Sequence, residues 1–485
     1  MKYKTTLYIP GFLMIVEAAF MLPSIGMSIY FKEWDAMNAF LITILLLCVP
    51  GILLIIKKPT DRFIKAWEDF VIVAISWIVM ALLGSLPFFL SGAVPTLTDS
   101  IFESVSGFTT SGASILPNVE ALPKSMLFWR STTHWMGGMG VLVFILSIIS
   151  ISSGHSIHLM RAETPGPDPG KFMPRVKDTA KMLYIIYVFL TILQIVVLLI
   201  SGMPLFDSVT TSFSTAATGG FSIRNESIAA YGNPCYEVII TVFMLLFGMN
   251  FNLFYFMIIK HFRSIYKSEE LRWYLGIIIV STAMITINLV GNVYQSFSEA
   301  VRFAFFQVVS VITTTGFYTT NFDVWPQTSR IIIFFLMFCG GCASSTAGGF
   351  KIARIILLFK GAKTGIYRII HPKALNAVMV NGRQVDDRVV NGAFIFLTFY
   401  VAIQALSVIA VSFDGFDFET TLTAVVACLN NVGPGLSLVG PVNNYSDFSV
   451  FSKYILSANM LLGRLEIYPV LLIFIPLAVK GRKAW

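Results

Sequence analysis

Ten apolar stretches, each long enough to cross a bilayer, divide this 485-residue chain: 8–31, 37–56, 70–92, 126–152, 182–202, 235–259, 273–295, 331–359, 391–412 and 454–479. A spanning helix needs about 20 largely apolar residues. Charged residues make up only 12% of the chain, about half the share found in soluble domains. Such a surface cannot be solvated, so the reading is an all-α polytopic membrane protein. The first run, LYIPGFLMIVEAAFMLPSIGMSIY, lacks a small-x-small cleavage site and reads as a span, not a leader. The five cysteines fall mostly in apolar segments and do not form a disulfide framework. Cys339 and Cys342 make a CxxC, but no second pair or histidine set completes a metal site.

The net charge of +8 has a location. Most Lys and Arg sit in KKPTDRFIK (57–65), RAETPGPDPGKFMPRVKDTAK (161–181), KHFRSIYKSEELR (260–272), the stretch 351–388, and the two ends. By the positive-inside rule these loops and both termini are cytoplasmic. The charge is therefore topological, and no nucleic-acid partner is expected. No GxxxxGK[ST] or GxGxxG motif is present, so no nucleotide or other cofactor is expected on this chain. His155 and His158 read as a solvated pair at the membrane edge.

The loops on the other side repeat one pattern. TDSIFESVSGFTTSGAS (98–114), LFDSVTTSFSTAATGGFS (205–222), FSEAVRFAFFQVVSVITTTGFY (297–318) and FDFETTLTAVVACLNNVGPG (416–435) each follow a span. Each opens with an acid and a small residue: Asp99-Ser100, Asp207-Ser208, Glu299-Ala300, Glu419-Thr420. Three or four helical turns follow, too few to cross a bilayer. Each then meets a small-polar cluster and a glycine: Gly112, Gly219, Gly316, Gly433. A recurrence of roughly 100 residues means tandem units. Each unit reads as a span, a re-entrant half-helix, a turn and a second span. Acids at the half-helix starts suit the positive dipole end, and the negative ends then point into the membrane and favour a cation. Backbone carbonyls at that depth are tolerated only if they line water or coordinate something. Rings of carbonyls that replace a hydration shell are how potassium filters work.

At these residues the chain resembles the superfamily of Trk, Ktr and HKT potassium transporters, from about residue 70 to the end. HWMGGMGVLVFILSI (134–148), STAGGFKIAR (345–354), MLLGRLEIYPVL (460–471) and the two extra N-terminal spans are similar to its bacterial TrkH/TrkG branch. The resemblance implies four membrane helix–pore helix–membrane helix repeats around one central pore. Their expected bounds are 67–160, 161–268, 269–372 and 373–485, after an N-terminal helix pair at 1–66. It implies a potassium filter made of Thr110, Ser111, Gly112, Thr218, Gly219, Thr314, Thr315, Gly316, Asn431, Val432 and Gly433. Serine at the first glycine goes with sodium preference in HKT relatives; here all four are glycine, which points to potassium, with rubidium accepted and sodium weaker. The Asn431-Val432 step departs from the Thr-rich pattern, so the filter is not four-fold symmetric. The resemblance also implies a homodimer in a bacterial inner membrane, with a cytosolic ring of TrkA-type nucleotide-binding (RCK) subunits.

CGGCASSTAGG (339–349) lies inside the second span of unit three. Two readings stand: close packing through small residues, or a broken helix whose loop closes the pore, as the resemblance suggests. The gate candidates are Gly340, Gly341, Ser344, Ser345, Gly348, Gly349, Lys351 and Arg464. Arg464 sits in an apolar span, where an arginine costs at least about 2.5–3.5 kcal/mol and must be paired or face a cavity. Glu466 and Glu103 are its candidate partners; the alternative is a pore-facing charge. The function expected is potassium uptake down its electrochemical gradient. The rival is a secondary transporter coupling potassium to protons or sodium, but such proteins usually carry inverted repeats and midplane acids. A polytopic enzyme would need His, Asp or Glu clustered at one face, and the sequence offers none.

Overall fold

The computed structural model describes residues 3–56, 66–140, 176–372 and 376–467. The fold is all-α and multi-pass, with four consecutive helical units behind an N-terminal pair, α1 (Tyr3–Phe31) and α2 (Trp34–Ile56). Unit one comprises α3 (Ala66–Gly84), α4 (Leu97–Phe108) and α5 (Lys124–Gly138). Unit two comprises α6 (Val176–Ile200), α7 (Leu205–Ala216), α8 (Pro234–Gly248) and α9 (Phe251–Ile258). Unit three comprises α10 (Glu269–Leu289), α11 (Phe297–Ile312), α12 (Gln327–Cys339) and α13 (Ile352–Ile370). Unit four comprises α14 (Asp387–Val411), α15 (Phe418–Leu429) and α16 (Val450–Arg464). A two-stranded hairpin, Met379–Val380 with Arg383–Gln384, lies between units three and four. His155 and His158 fall outside the described residues.

Among the described residues six helices are long and apolar enough to cross a membrane, or seven if a bent pair counts as one. That pair corrects one expectation. The run 235–259 is not one straight span: α8 and α9 meet at 92°. Asn250 makes the break, its side chain accepting from the Asn252 N–H and so starting a new helix. The run 331–359 is also interrupted, by an irregular segment between α12 and α13.

The short helices α4, α7, α11 and α15 have 12, 12, 16 and 12 residues. Their starts are set by capping. Thr96 accepts from the Asp99 N–H, and Asp417 from the Thr420 N–H. Hydrogen bonds from Thr420 hold the Asp417 carboxyl below its usual range. The acids of the first turn find cations at the unit boundaries: Asp99 with Lys453 at 2.8 Å and Glu419 with Arg330 at 2.6 Å.

The units close into a ring. The second helix of each packs on the short helix of the next: α5 on α7, α8 on α11, α12 on α15, and α16 back on α4. The N-terminal pair flanks unit one, with α1 against α3 and α5.

Candidate functional site

Four turns built alike follow the short helices. Each helix stops in a Schellman pattern, in which the residue two beyond the last turn donates back across five positions. The bonds are Ser111 N–H to Ser106 O, Gly219 to Ser214, Thr315 to Ser310 and Val432 to Ala427, at 2.8–2.9 Å. The residue before each donor is left-handed: Thr110 (φ 55°), Thr218 (53°), Thr314 (56°) and Asn431 (55°). Glycine is the usual choice there, because a side chain costs about 1–2 kcal/mol in this conformation. The sequence carries threonine or asparagine in every unit, so a polar side chain occupies a strained position four times.

One residue beyond each donor is a glycine of positive φ: Gly112 (78°), Gly220 (75°), Gly316 (79°) and Gly433 (94°). This corrects the second unit by one residue. Gly219 matches Ser111, Thr315 and Val432, and Gly220 is the counterpart of the other three glycines. The pattern Thr/Asn-x-Gly, counted from Thr218, carries that register in the sequence.

The four glycines meet in cyclic order. A Cβ on Gly112 would collide with the carbonyl oxygen of Gly219, one on Gly220 with that of Thr315, and one on Gly316 with that of Val432. On Gly433 it would lie 2.7 Å from the Ser111 oxygen, closing the circle. Glycine at these positions is required twice, by φ and by the carbonyl of the next unit. A cavity of about 130 Å³ is lined by all four glycines and by segments that follow them. Around the turns, the Thr110 and Ser111 hydroxyls and the Asn431 carbonyl oxygen are buried without a protein partner.

The segment 340–351 lies against the residues that precede the glycines. It leaves α12 at Gly340 (φ 69°) and returns at Gly349 (77°), where the two limbs approach so closely that a Cβ on Gly349 would fall 2.6 Å from the Gly340 Cα. Ser344 and Lys351 also have positive φ. The Gly348 N–H donates to the Thr314 hydroxyl at 2.7 Å, and the Thr218 hydroxyl lies 3.4 Å from that of Thr346. A Cβ on Gly348 would stand 2.6 Å from the Asn430 oxygen. The segment thus underlies the turns of units two, three and four.

Its anchors include residues the sequence reading missed. The Cys342 N–H donates to the Gly248 carbonyl at 2.9 Å and the Phe251 N–H to the Ser344 carbonyl at 3.1 Å, both at the α8–α9 break. The Ala343 N–H donates to Glu270 Oε1 at 2.5 Å. Lys351 Nζ turns into the loop and donates to the Ala347 carbonyl at 2.5 Å, with Ser345 Oγ at 3.5 Å. Gly341 also lies in the folded segment, its missing side chain leaving room for Ala347. Arg464 joins the loop to unit one. It donates to the Thr346 carbonyl at 2.9 Å, to the Gly138 carbonyl at 2.6 Å and to the Gly137 carbonyl. Glu103 is bound to Arg130, and Glu466 has Arg354 among its contacts.

The family model described as "Cation transport protein" for TrkH matches residues 35–480. The chain belongs to the TrkH family. The Trk system potassium uptake protein TrkH of Salmonella typhimurium is 38% identical over 85% of this chain and 86% of its own length. Its Halomonas elongata namesake is 34% identical over 98% and 99%. The crystal structure of the potassium transporter TrkH from Vibrio parahaemolyticus superimposes with a TM-score of 0.87 at 31% identity, covering 98% of this chain and 99% of that one. The four units, their ring and the N-terminal pair described above are the TrkH fold.

Proposed function

We propose that this TrkH-family chain takes up potassium through a central pore in a bacterial inner membrane. The carbonyls of Ser111, Gly219, Thr315 and Val432, held together by the glycine ring, replace water around the dehydrated ion. The carrying observation is the cyclic contact of each glycine with the next unit's carbonyl. The unpartnered oxygens of Thr110, Ser111 and Asn431 support it, since a buried unmet acceptor costs about 1–3 kcal/mol unless something coordinates it. The ion is the one taken up by the Trk potassium uptake proteins to which the chain is similar.

The segment 340–351 is the gate in this reading. It sits against three turns, and Arg464 ties it to unit one while placing a positive charge beside the ion path. Rubidium passes as potassium does, and sodium less well. The membrane potential supplies the drive, about 2.3 kcal/mol per charge per 100 mV, and no coupled ion is needed. Basic loops on the cytoplasmic face, with both termini on that side, receive a nucleotide-binding regulatory subunit, and two copies of the chain pair in the membrane.

The test is ion flux in liposomes holding purified protein. Rb⁺ entry that follows an imposed potential and ignores pH and Na⁺ gradients is the expected result. Entry that requires either gradient overturns the pore in favour of a coupled carrier.

A further inference from the structure

The turns of units one and two are joined differently from the rest. Glu103 on α4 is wholly buried, and Arg130 on α5 is 4% exposed. Arg130 Nε donates to Glu103 Oε1 at 2.5 Å. The same carboxylate accepts from the Ser114 hydroxyl at 3.2 Å and from the Ile115 N–H at 2.9 Å, both just beyond Gly112. The other end of the guanidinium reaches unit two. Arg130 donates to the Ser222 carbonyl at 2.7 Å, two residues beyond Gly220. Its central carbon lies 3.5 Å from the centre of the Phe221 ring. His134, one turn along α5, stacks on that ring at 3.9 Å and 14°. Two groups this close cannot share a face, so Phe221 is held between Arg130 and His134. The His134 ring also backs Gly219, where a Cβ would come within 2.5–2.7 Å of it.

The other boundaries carry ion pairs as well, Arg302 with Glu237, Arg330 with Glu419 and Lys453 with Asp99, but their side chains are more exposed than those of Glu103 and Arg130, and two of these boundaries join their turns through tyrosines. Between units two and three the Ala229 N–H donates to the Tyr318 carbonyl at 3.2 Å, and the Tyr318 hydroxyl to the Asn225 carbonyl at 2.8 Å. Between units four and one the Tyr445 N–H donates to the Ser114 carbonyl at 2.9 Å, and the Tyr445 hydroxyl to the Gly433 carbonyl at 2.8 Å. Counted back from the left-handed residue, Glu103 corresponds to Thr211, Gln307 and Ala424. Only unit one has an acid there.

We propose that Glu103 and Arg130 form a strut that fixes the spacing of the first two glycine turns and so sets ion discrimination on that side of the ring. The proposal rests on the filter reading above. Discrimination between ions of different radius requires that carbonyls not collapse onto the smaller one. Ser114 and Ser222 are matching positions, each two residues past its glycine, and the strut links both to one buried pair. Arg130 is a positioning residue here: it acts on the carbonyls through Ser222 and Phe221. A planar guanidinium can stack on a ring and donate from two edges at once, which an ammonium cannot.

The experiment is Rb⁺ against Na⁺ competition in liposomes at matched protein, with R130Q, R130K, E103Q/R130Q and, as a control on the filter reading, G316S. Losing a charge-assisted bond to Ser222 lowers the Rb⁺ preference of R130Q by about tenfold. The double variant leaves no unpaired buried charge, so it folds like the parent yet shows the same loss. R130K keeps a cation beside Glu103 and recovers part of the preference. Parental discrimination in the double variant, with G316S impaired, overturns the strut and leaves the glycine ring standing. Parental discrimination in G316S overturns the ring and the strut with it. Should the double variant not fold, parental discrimination in R130K overturns the strut.

Discussion

The glycine ring and the loop beneath it solve opposite problems with the same chain. The ring takes four unlike sequences, Thr-Ser-Gly, Thr-Gly-Gly, Thr-Thr-Gly and Asn-Val-Gly, and gives them one backbone. The left-handed residues agree within 53–56° in φ, and three of the glycines within 75–79°. The loop takes one sequence from one unit and gives it a different contact at each point it touches: a hydroxyl on Thr314 and a carboxylate on Glu270 in its own unit, a carbonyl at Gly248 in unit two and a guanidinium on Arg464 in unit four. Repetition suits a site where carbonyls must be equivalent around an ion. A single copy suits the gate proposed for the loop, because breaking its contacts leaves the ring's own hydrogen bonds intact.

The sharpest way to break this contrast is at the ring. In Gly220→Ala the strained conformation adds about 1–2 kcal/mol, and overlap with the Thr315 carbonyl adds about 1–3 kcal/mol more. Rb⁺ flux is expected to fall on the order of a hundredfold. Gly219→Ala meets the His134 ring instead of backbone. Its effect is therefore non-additive with His134→Ala: the double variant should match His134→Ala alone. Trimming His134 should do nothing for Gly220→Ala. Rescue of Gly220→Ala by the trimmed ring would return the register to Gly219.

The next effect has the opposite sign. Arg464→Ala removes donors to the Thr346, Gly137 and Gly138 carbonyls. Hydrogen bonds from a charged group contribute about 1.5–3 kcal/mol, so flux through the protein without a regulatory subunit should rise about tenfold. Unchanged flux in a folded, inserted Arg464→Ala protein removes the loop from the gate. A smaller rise, about threefold, is expected for Glu270→Gln, which turns a charge-assisted bond from Ala343 into a neutral one.

Six of the ten expected spans, the four units and the positive-φ glycines of units one, three and four were legible in the sequence because hydropathy and turn residues are local signals. Gly220 was obscured by its neighbour: two adjacent glycines satisfy a glycine count equally, and only the distance from Thr218 separates them. The 92° bend after Gly248 was hidden because the run as a whole is apolar enough to read as one span, and the asparagines at 250 and 252 mark the break only through the capping habit of Asn250. The Arg464 contacts were illegible for another reason. An arginine in an apolar run announces that a partner exists, not which one, and carbonyls exposed by Gly137 and Gly138 at the end of another unit's helix leave no trace in its neighbourhood. Glu103 and Arg130 lie 27 residues apart with a turn between them, and only the closed ring puts Ser222 within their reach.

The smallest effect is expected at the rim, and it sharpens the contrast by failing to matter. Arg330 joins units three and four by reaching Glu419 at 2.6 Å and Asp323 at 3.1 Å, which resembles the join made by Arg130. Its side chain is 25% exposed, however, against 4% for Arg130. Water and salt screen such a pair, and exposed ion pairs contribute about 0–1 kcal/mol. Arg330→Ala should therefore lower the melting midpoint by no more than about 2 °C, with the deficit disappearing in about 1 M salt. Rb⁺ over Na⁺ preference should stay at the parental value, since Asp323 reaches the segment beyond the unit-four turn through the Ser437 N–H, four residues beyond Gly433. A selectivity loss in Arg330→Ala comparable to that of Arg130→Gln would mean that ring spacing depends on how many charges tie the units together. Burial beside the carbonyls would then not be what distinguishes the first boundary from the third.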